Sequence, residues 1–260
     1  MTEFKHFFET FQPEHYEIFL DINRENKKFS GKTTISGNAK NTKIAIHEKD
    51  LTIKSVQSDG HDLSFNIDPE LDAIKIELPQ TGKTSLTISY TATLTDSMMG
   101  IYPSYYEVNG EKKQIIGTQF ETTFARQAFP CIDEPEAKAT FDLAIKFDEK
   151  PGETILANMP EVREKDGVHY FDTTMRMSTY LVAFAFGDLQ SKKHQPRVVL
   201  KLVYIVLKPI QLSNLILPWT LPNVQLSFMK NFIKPPIRYR SPISWLCLIF
   251  QPGLWKTGDL

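Results

Sequence analysis

The most informative stretch of this sequence is GTQFETTFARQAFPCIDEPEAKATF, residues 117–141. Gln119 and Glu121 stand two positions apart, so in an extended backbone both side chains leave the same face. An arginine with aromatic neighbours follows, and two carboxylates, Asp133 and Glu134, then come directly before Pro135. Because proline fixes its own backbone and restricts the residue before it, the acidic pair sits in a restrained segment. These three features distinguish the stretch from an ordinary strand-and-loop segment.

Much of the sequence before residue 189 alternates between apolar and polar side chains, as half-buried antiparallel strands do. Turn-forming residues such as SDGH (58–61) and PQTG (79–82) separate these strands, and helical signal is scarce apart from one short turn near 135–138. The pattern predicts an all-β domain over residues 1–189, built as a saddle-like antiparallel or mixed sheet. The predicted strands are 16–22, 32–37, 43–47, 51–56, 73–78, 85–94, 140–147, 154–157, 168–173 and 179–186.

Composition narrows the class of protein. The two cysteines, Cys131 and Cys247, give neither a disulfide framework nor a CxxC metal knuckle. The N-terminal residues lack the basic and apolar regions of a secretory leader. No uncharged apolar stretch approaches the roughly 20 residues of a membrane-spanning helix. We therefore expect a cytoplasmic protein that makes no use of a membrane.

The 117–141 stretch resembles the substrate-binding and hinge segment of zinc aminopeptidases of the aminopeptidase N and puromycin-sensitive aminopeptidase family. Three further landmarks follow the family's order, namely MMGIY (98–102), NMP (158–160) and MSTYLVAF (177–184). The resemblance implies an N-terminal β domain that packs against a thermolysin-like catalytic domain. It also implies an enzyme that removes N-terminal amino acids from peptides, with zinc-bound water attacking the scissile carbonyl.

The same resemblance assigns two substrate-binding residues. In the family, the glutamate that matches Glu121 binds the free α-ammonium of the peptide, and the glutamine that matches Gln119 helps to line the first side-chain pocket. A carboxylate that faces an ammonium makes strong charge-assisted hydrogen bonds, and it rejects internal peptide positions, which have a neutral amide there. We expect Arg126, Asp133 and Glu134 to hold the loop and a domain interface instead of touching substrate.

No catalytic residue and no metal ligand are predicted in this chain. A zinc aminopeptidase needs HExxH on one helix face, a further acidic ligand and a glutamate base. The nearest fragment is HEKDL, residues 47–51, where Leu51 replaces the second histidine and the surroundings indicate strand and turn. The other histidines lack suitable spacing. Zinc is thus the cofactor of the full-length family, and no cofactor is expected in this chain.

Residues 190–260 differ from the preceding sequence in composition. Residues 1–190 contain 30 acidic and 20 basic residues, whereas residues 191–260 contain ten basic residues and one acid, Asp259. All three tryptophans also lie after residue 190. The family pattern stops near Leu189, where the family would continue into an acidic, helical catalytic domain.

A shifted reading frame explains this change. When the third base of each codon is joined to the first two bases of the next, residues 244–260 can be read as LALPDFSAGAMENWGL. This string contains GAMEN, the exopeptidase motif of the same family, and Trp255 followed by Lys256 (TGG-AAR) forces its glutamate. We therefore predict that residues 190–260 are an out-of-frame tail and not a native domain, and that the chain is truncated before the catalytic zinc site.

Two other functions account for part of the sequence. A non-catalytic β-sandwich that binds protein or carbohydrate would explain the β pattern, but it has no need of the Gln119–Glu121 pair or the CIDEP block. A basic arm for nucleic acid would explain the charge of the tail, yet the tail shows little interleaving of aromatic and basic residues. The expected partners are therefore peptide N-termini as substrates in the full-length family, with no nucleic acid.

Overall fold

The computed structural model describes residues 6–108, 110–194, 202–207 and 249–250. These residues form an all-β structure with antiparallel and mixed sheets, as the sequence predicts, and the only helices among them are three short 3-10 turns, Phe7–Glu9, Ala125–Gln127 and Thr179–Leu181. Most of the predicted tail, 190–260, lies outside the described residues, so its out-of-frame origin stays a prediction.

The strands are, in chain order, β1 Phe11–Asn23, β2 Lys28–Ala39, β3 Lys43–His47, β4 Thr52–Ser58, β5 His61–Asp62, β6 Phe65–Asp68, β7 Ala73–Glu77, β8 Gly82–Thr93, β9 Gly100–Val108, β10 Glu111–Gln119, β11 Thr140–Phe147, β12 Thr154–Ala157, β13 Glu161–Lys165, β14 Val168–Phe171, β15 Phe184–Gly187, β16 Leu189–His194, β17 Leu202–Leu207 and β18 Ile249–Phe250.

The largest sheet has eight strands in the order β13-β14-β11-β1-β2-β8-β4-β5. Its centre is built from long strands, of which β1 pairs antiparallel with β2 and parallel with β11. Alternate residues of β8, namely Leu86, Ile88 and Tyr90, are buried, so the strand presents one apolar face to the core. Gly31 in β2 lets the ring of Tyr90 lie against the backbone, because a Cβ there would be 2.3 Å from the ring.

Three smaller sheets complete the described structure, in the orders β12-β15-β10-β9, β3-β7-β6 and β16-β17-β18. The four-stranded sheet faces the eight-stranded one, and Phe186 of β15 meets Phe147 of β11 with 4.2 Å between ring centroids. The last residue of β10 is Gln119. The packing of the two sheets therefore places the end of β10, with the 117–141 stretch that follows it, against the common core.

Candidate functional site

Gln119 and Glu121 lie at the point where β10 ends. Gln119 is half-buried as the last residue of the strand, and Glu121 is exposed in the turn that follows. Phe120 between them is 1% exposed and packs edge-on against Phe129, with ring centroids 5.9 Å apart. Burial thus alternates with a period of two over residues 119–121, as the sequence predicts, although Glu121 lies outside the strand. Within the described structure the Glu121 carboxylate makes no hydrogen bond or ion pair, so it is available to a ligand.

The loop after Glu121 is closed by Asp133, whose residue surface is only 3% exposed. Its Oδ2 accepts hydrogen bonds from Arg126, from Nε at 3.1 Å and from the backbone N–H at 3.3 Å. Its Oδ1 accepts the hydroxyl of Thr179 at 2.7 Å. The carboxylate thus ties the turn Ala125–Gln127 to the turn Thr179–Leu181, although the two are far apart in sequence.

Arg126 and its neighbour connect the same loop to the residues after β3. The carbonyl of Arg126 accepts the N–H of Lys49 at 3.0 Å. The amide of Gln127 donates to Asp50 at 3.1 Å. The guanidinium of Arg126 also lies 4.0 Å from Asp72. The segment that carries Glu121 is therefore fixed by contacts within this domain.

Glu134 binds the N-terminal turn instead of the loop. Its two carboxylate oxygens accept the backbone N–H groups of Phe7 at 2.7 Å and Phe8 at 3.4 Å. Burial raises the pKa of Glu134, and these two hydrogen bonds act in the opposite direction. Arg126 and Asp133 thus hold the loop, as the sequence predicts, whereas Glu134 holds the N-terminal turn. Their contact with a second domain stays a prediction.

His47 ends β3 and acts as a hydrogen-bond acceptor. Its Nδ1 accepts the backbone N–H of Asp133 at 3.1 Å, and its ring stacks on Phe7 with centroids 4.1 Å apart. Burial, followed by the nearby charge of Arg126, lowers the pKa of His47 to about 3. The imidazole is therefore neutral at ordinary pH, which the acceptor role requires.

The fragment HEKDL does not fit the catalytic zinc of the family. His47 is in a strand, so no second ligand follows one helical turn later, and position 51 holds a buried leucine. Glu48 is also engaged, because its Oε2 accepts the N–H of Leu51 at 3.3 Å. The ligand geometry of HExxH requires both side chains on one helix face.

Cys131 is fully buried and forms an antiparallel bridge with His47. Burial raises the pKa of its thiol well above the ordinary value, and the nearby Asp133 acts in the same direction. A thiol in this environment stays protonated and packs as a small apolar residue. Tyr16 also holds this segment in place, since its hydroxyl accepts the backbone N–H of Ile132 at 3.1 Å.

Sequence reasoning missed two partners in this network. Thr179 and His47 contact Asp133 from 46 and 86 positions away. Both lie in segments that the sequence analysis singled out, MSTYLVAF and HEKDL, but for other reasons. No local signal could have found them, because both contacts join segments that are distant along the sequence.

Residues 12–181 match the family described as Peptidase M1 N-terminal domain, and the chain belongs to this family. It is 60% identical to the aminopeptidase N of Lactobacillus helveticus over 189 residues, which cover 72% of this chain and 22% of the relative. It is 47% identical to the aminopeptidase N of Lactococcus lactis subsp. cremoris over 241 residues, covering 93% of this chain and 28% of the relative.

A more distant relative carries a different name. The puromycin-sensitive aminopeptidase of Caenorhabditis elegans is 36% identical over 197 residues, covering 69% of this chain and 21% of the relative. The chain therefore spans between about a fifth and three tenths of the length of the relatives it matches. Among the described residues, no helix is both long enough and apolar enough to cross a membrane.

Proposed function

We propose that this chain is the N-terminal portion of a zinc-dependent aminopeptidase and that it contributes substrate recognition to the complete enzyme. The observation that carries the proposal is the family match over residues 12–181, which includes the Gln119–Glu121 strand end and its fixed loop. Membership of a peptidase domain family argues against a non-catalytic module for protein or carbohydrate. Peptide N-termini as substrates, zinc in the complete enzyme and a cytoplasmic location are parts of the same proposal.

In this proposal Glu121 binds the α-ammonium of the substrate and Gln119 lines the pocket for the first side chain. The exposed carboxylate of Glu121 has no partner within the described structure, so an incoming ammonium displaces no existing ion pair. The loop behind it is held by the buried Asp133, which limits the reorganisation that binding requires. A free amine then gains charge-assisted hydrogen bonds that a blocked or internal amide cannot form.

We further propose that residues 190–260 are translated out of frame, so that the catalytic zinc site is not encoded in the frame of this chain. Two matches support the proposal. An aminopeptidase N of Lactococcus lactis subsp. lactis is 56% identical over 191 residues, which corresponds to about 107 identical positions, and that of Lactococcus lactis subsp. cremoris is 47% identical over 241 residues, which corresponds to about 113. The longer match covers 93% of the chain and must extend well beyond Leu189, yet it contains only about six more identities than the shorter one.

The nucleotide sequence around codons 188–198 and beyond codon 260 tests the frame directly. A one-base difference that restores GAMEN and a following HExxH supports truncation, whereas an open frame that keeps the present tail refutes it. Kinetics of the frame-restored protein then test recognition.

Glu121→Ala should lower kcat/KM for free-amine peptides by about ten- to more than a hundredfold, the equivalent of a charged hydrogen bond of roughly 1.5–3 kcal/mol. Glu121→Gln should fall nearly as far, because it keeps the shape and loses the charge. Peptides with a blocked N-terminus serve as the control, since they cannot use the anchor. Wild-type kinetics for both variants would contradict the proposed role of Glu121 as the anchor of the α-ammonium.

A further inference from the structure

The hairpin of β13 and β14 forms one edge of the eight-stranded sheet, and a β-bulge sets the direction of its side chains. His169 lies directly opposite Glu164, so both leave the same face. In a regular strand Glu161, three positions before Glu164, would point to the other face. The bulge places Val162 as an extra residue, so that Glu161 pairs with Phe171, which shares the face of His169.

This register brings three metal-ligating groups together. One ligand atom from each of Glu161, Glu164 and His169 lies within 4.8 Å of the other two. Nδ1 of His169 is 3.1 Å from Oε1 of Glu161, and the imidazole is 7% exposed while the Glu161 side chain is 37% exposed. One imidazole nitrogen with two carboxylates, open to water on one side, is a donor set that suits zinc and similar divalent ions.

The other ring nitrogen gives an independent indication of a ligand. Nε2 of His169 is buried and has no hydrogen-bond partner in the described part of the chain, and it faces Oε2 of Glu149 at 3.8 Å. A histidine that binds a metal through one nitrogen commonly directs the other N–H to a carboxylate, which fixes the ring. The ring also packs on Phe147, with centroids 5.4 Å apart.

We propose that His169, Glu161 and Glu164 form a divalent-cation site at this sheet edge, with zinc as its ion. Glu149 is a positioning residue that orients the imidazole. The role of the site is to fasten β13 onto β14, because binding to the folded hairpin stabilises it. The proposal departs from the expectation that no histidine of this chain belongs to a metal site, since spacing along the sequence cannot show a bulge.

A second cluster of the same type, formed by His6, Glu134 and Glu136, is a weaker candidate. The oxygens of Glu134 already accept the N–H groups of Phe7 and Phe8. Zinc would have to compete with these hydrogen bonds. At the β13–β14 edge the two glutamates are exposed and reach the ion without breaking the backbone pairing of the hairpin.

Calorimetric titration of the metal-stripped full chain with zinc chloride tests the proposal. Glu161→Gln and Glu164→Gln should each weaken a saturable site by at least about tenfold, and Glu149→Gln should weaken it by about 10- to 100-fold through the ring orientation. Glu17→Gln, an exposed carboxylate on β1, is the matched control and should leave the affinity unchanged. Glu164→His should restore binding, because imidazole is itself a zinc ligand.

Deletion of Val162 tests whether the site needs the bulge itself or only the shared face that the bulge provides. Without Val162, Glu161 stands two positions before Glu164 in a regular register and still lies opposite Phe171, so zinc affinity should stay close to that of the wild type. A loss as large as in Glu161→Gln would contradict the assigned ligand geometry. The proposal is overturned if no saturable uptake occurs, or if Glu161→Gln and Glu164→Gln both keep wild-type affinity. Equal weakening in Glu17→Gln would indicate general charge attraction and would overturn it as well. All of these readouts concern binding, so they are independent of whether the complete enzyme is an aminopeptidase.

Discussion

Replacement of Asp133 by asparagine tests whether the recognition loop is held by a buried charge. The carboxylate is 3% exposed and accepts three hydrogen bonds, two from Arg126 and one from the hydroxyl of Thr179. Asparagine keeps the volume but has one acceptor oxygen, and its NH2 group must face a donor. Asp133→Asn therefore leaves at least one donor without an acceptor and removes the counter-charge of Arg126.

The expected loss follows from the burial of both partners. The Arg126 side chain is 13% exposed and its Nε lies 3.1 Å from the Asp133 carboxylate. Removal of one member of a buried pair costs about 3–5 kcal/mol, because the other charge stays buried without compensation. The carboxylate of Asp72 remains 4.0 Å from the Arg126 guanidinium and replaces part of the electrostatic stabilisation that Asp133 gave. We therefore expect the lower end, a decrease of about 3 kcal/mol in the free energy of unfolding.

Urea unfolding followed by far-ultraviolet circular dichroism measures this loss, because the three tryptophans lie after residue 190 and would report on that part of the chain. Asp96→Asn is the matched control, since Asp96 pairs with Lys27 at 3.0 Å but is 83% exposed. It should leave the midpoint unchanged, because exposed pairs contribute little. Adding Arg126→Gln to Asp133→Asn should recover part of the loss. Equal midpoints for the Asp133 and Asp96 variants would refute a buried clamp.

Three further predictions concern the pH dependence of stability, the packing at one glycine and the activity of the chain. Between pH 6.5 and about 3 the unfolded chain binds a proton at His47 that the folded chain does not, so stability should fall as the pH decreases, by up to about 1.4 kcal/mol per pH unit. Urea unfolding at several pH values measures the slope of the free energy of unfolding against pH. His47→Gln keeps an acceptor for the Asp133 N–H and should flatten this slope. An unchanged slope in the variant would exclude His47 as the cause. Gly31→Ala should cost about 1–3 kcal/mol in the same assay because its Cβ meets the ring of Tyr90, whereas Gly117→Ala, with nothing within 4 Å, should be close to neutral. The purified chain should release no amino acid from aminoacyl anilides, with or without added zinc, and activity that is lost on adding a chelator would contradict the proposed truncation.

The sequence predicts best those strands whose two faces differ. Residues 16–22 alternate clearly and fall within β1, and residues 85–94 do so and coincide with β8 up to Thr93; one face of each strand packs on the core. Strand β13 was not predicted because every residue from 161 to 165 is exposed, so there is no alternation to detect. The parallel pairing of β1 with β11 joins residues about 125 positions apart, and no local pattern specifies it.

The candidate site divides in the same way. The local pattern predicts that Gln119 and Glu121 share one face of an extended backbone; in the structure Gln119 ends β10 and Glu121 lies in the turn that follows. The partners of Asp133 and the cluster around His169 depend on contacts between distant segments or on a bulge, neither of which has a signature in a single sequence. The residue types therefore suggest which ligand the loop could bind. Which residues hold the loop in place is visible only from the tertiary contacts.

The loop that carries Glu121 is held by contacts within the β domain. Every hydrogen bond that fixes Asp133, including those from Arg126 and Thr179, comes from within residues 6–194. We therefore expect the loop that carries Glu121 to be ordered by the β domain itself, without help from a catalytic domain. If Glu121 anchors the substrate as proposed, weakening this loop should change how well free-amine peptides are recognised while leaving the family's metal ligands untouched. The Asp133→Asn substitution in the frame-restored protein should then lower kcat/KM for free-amine peptides more than for blocked ones, whereas an equal decrease for both would indicate a general loss of folded enzyme.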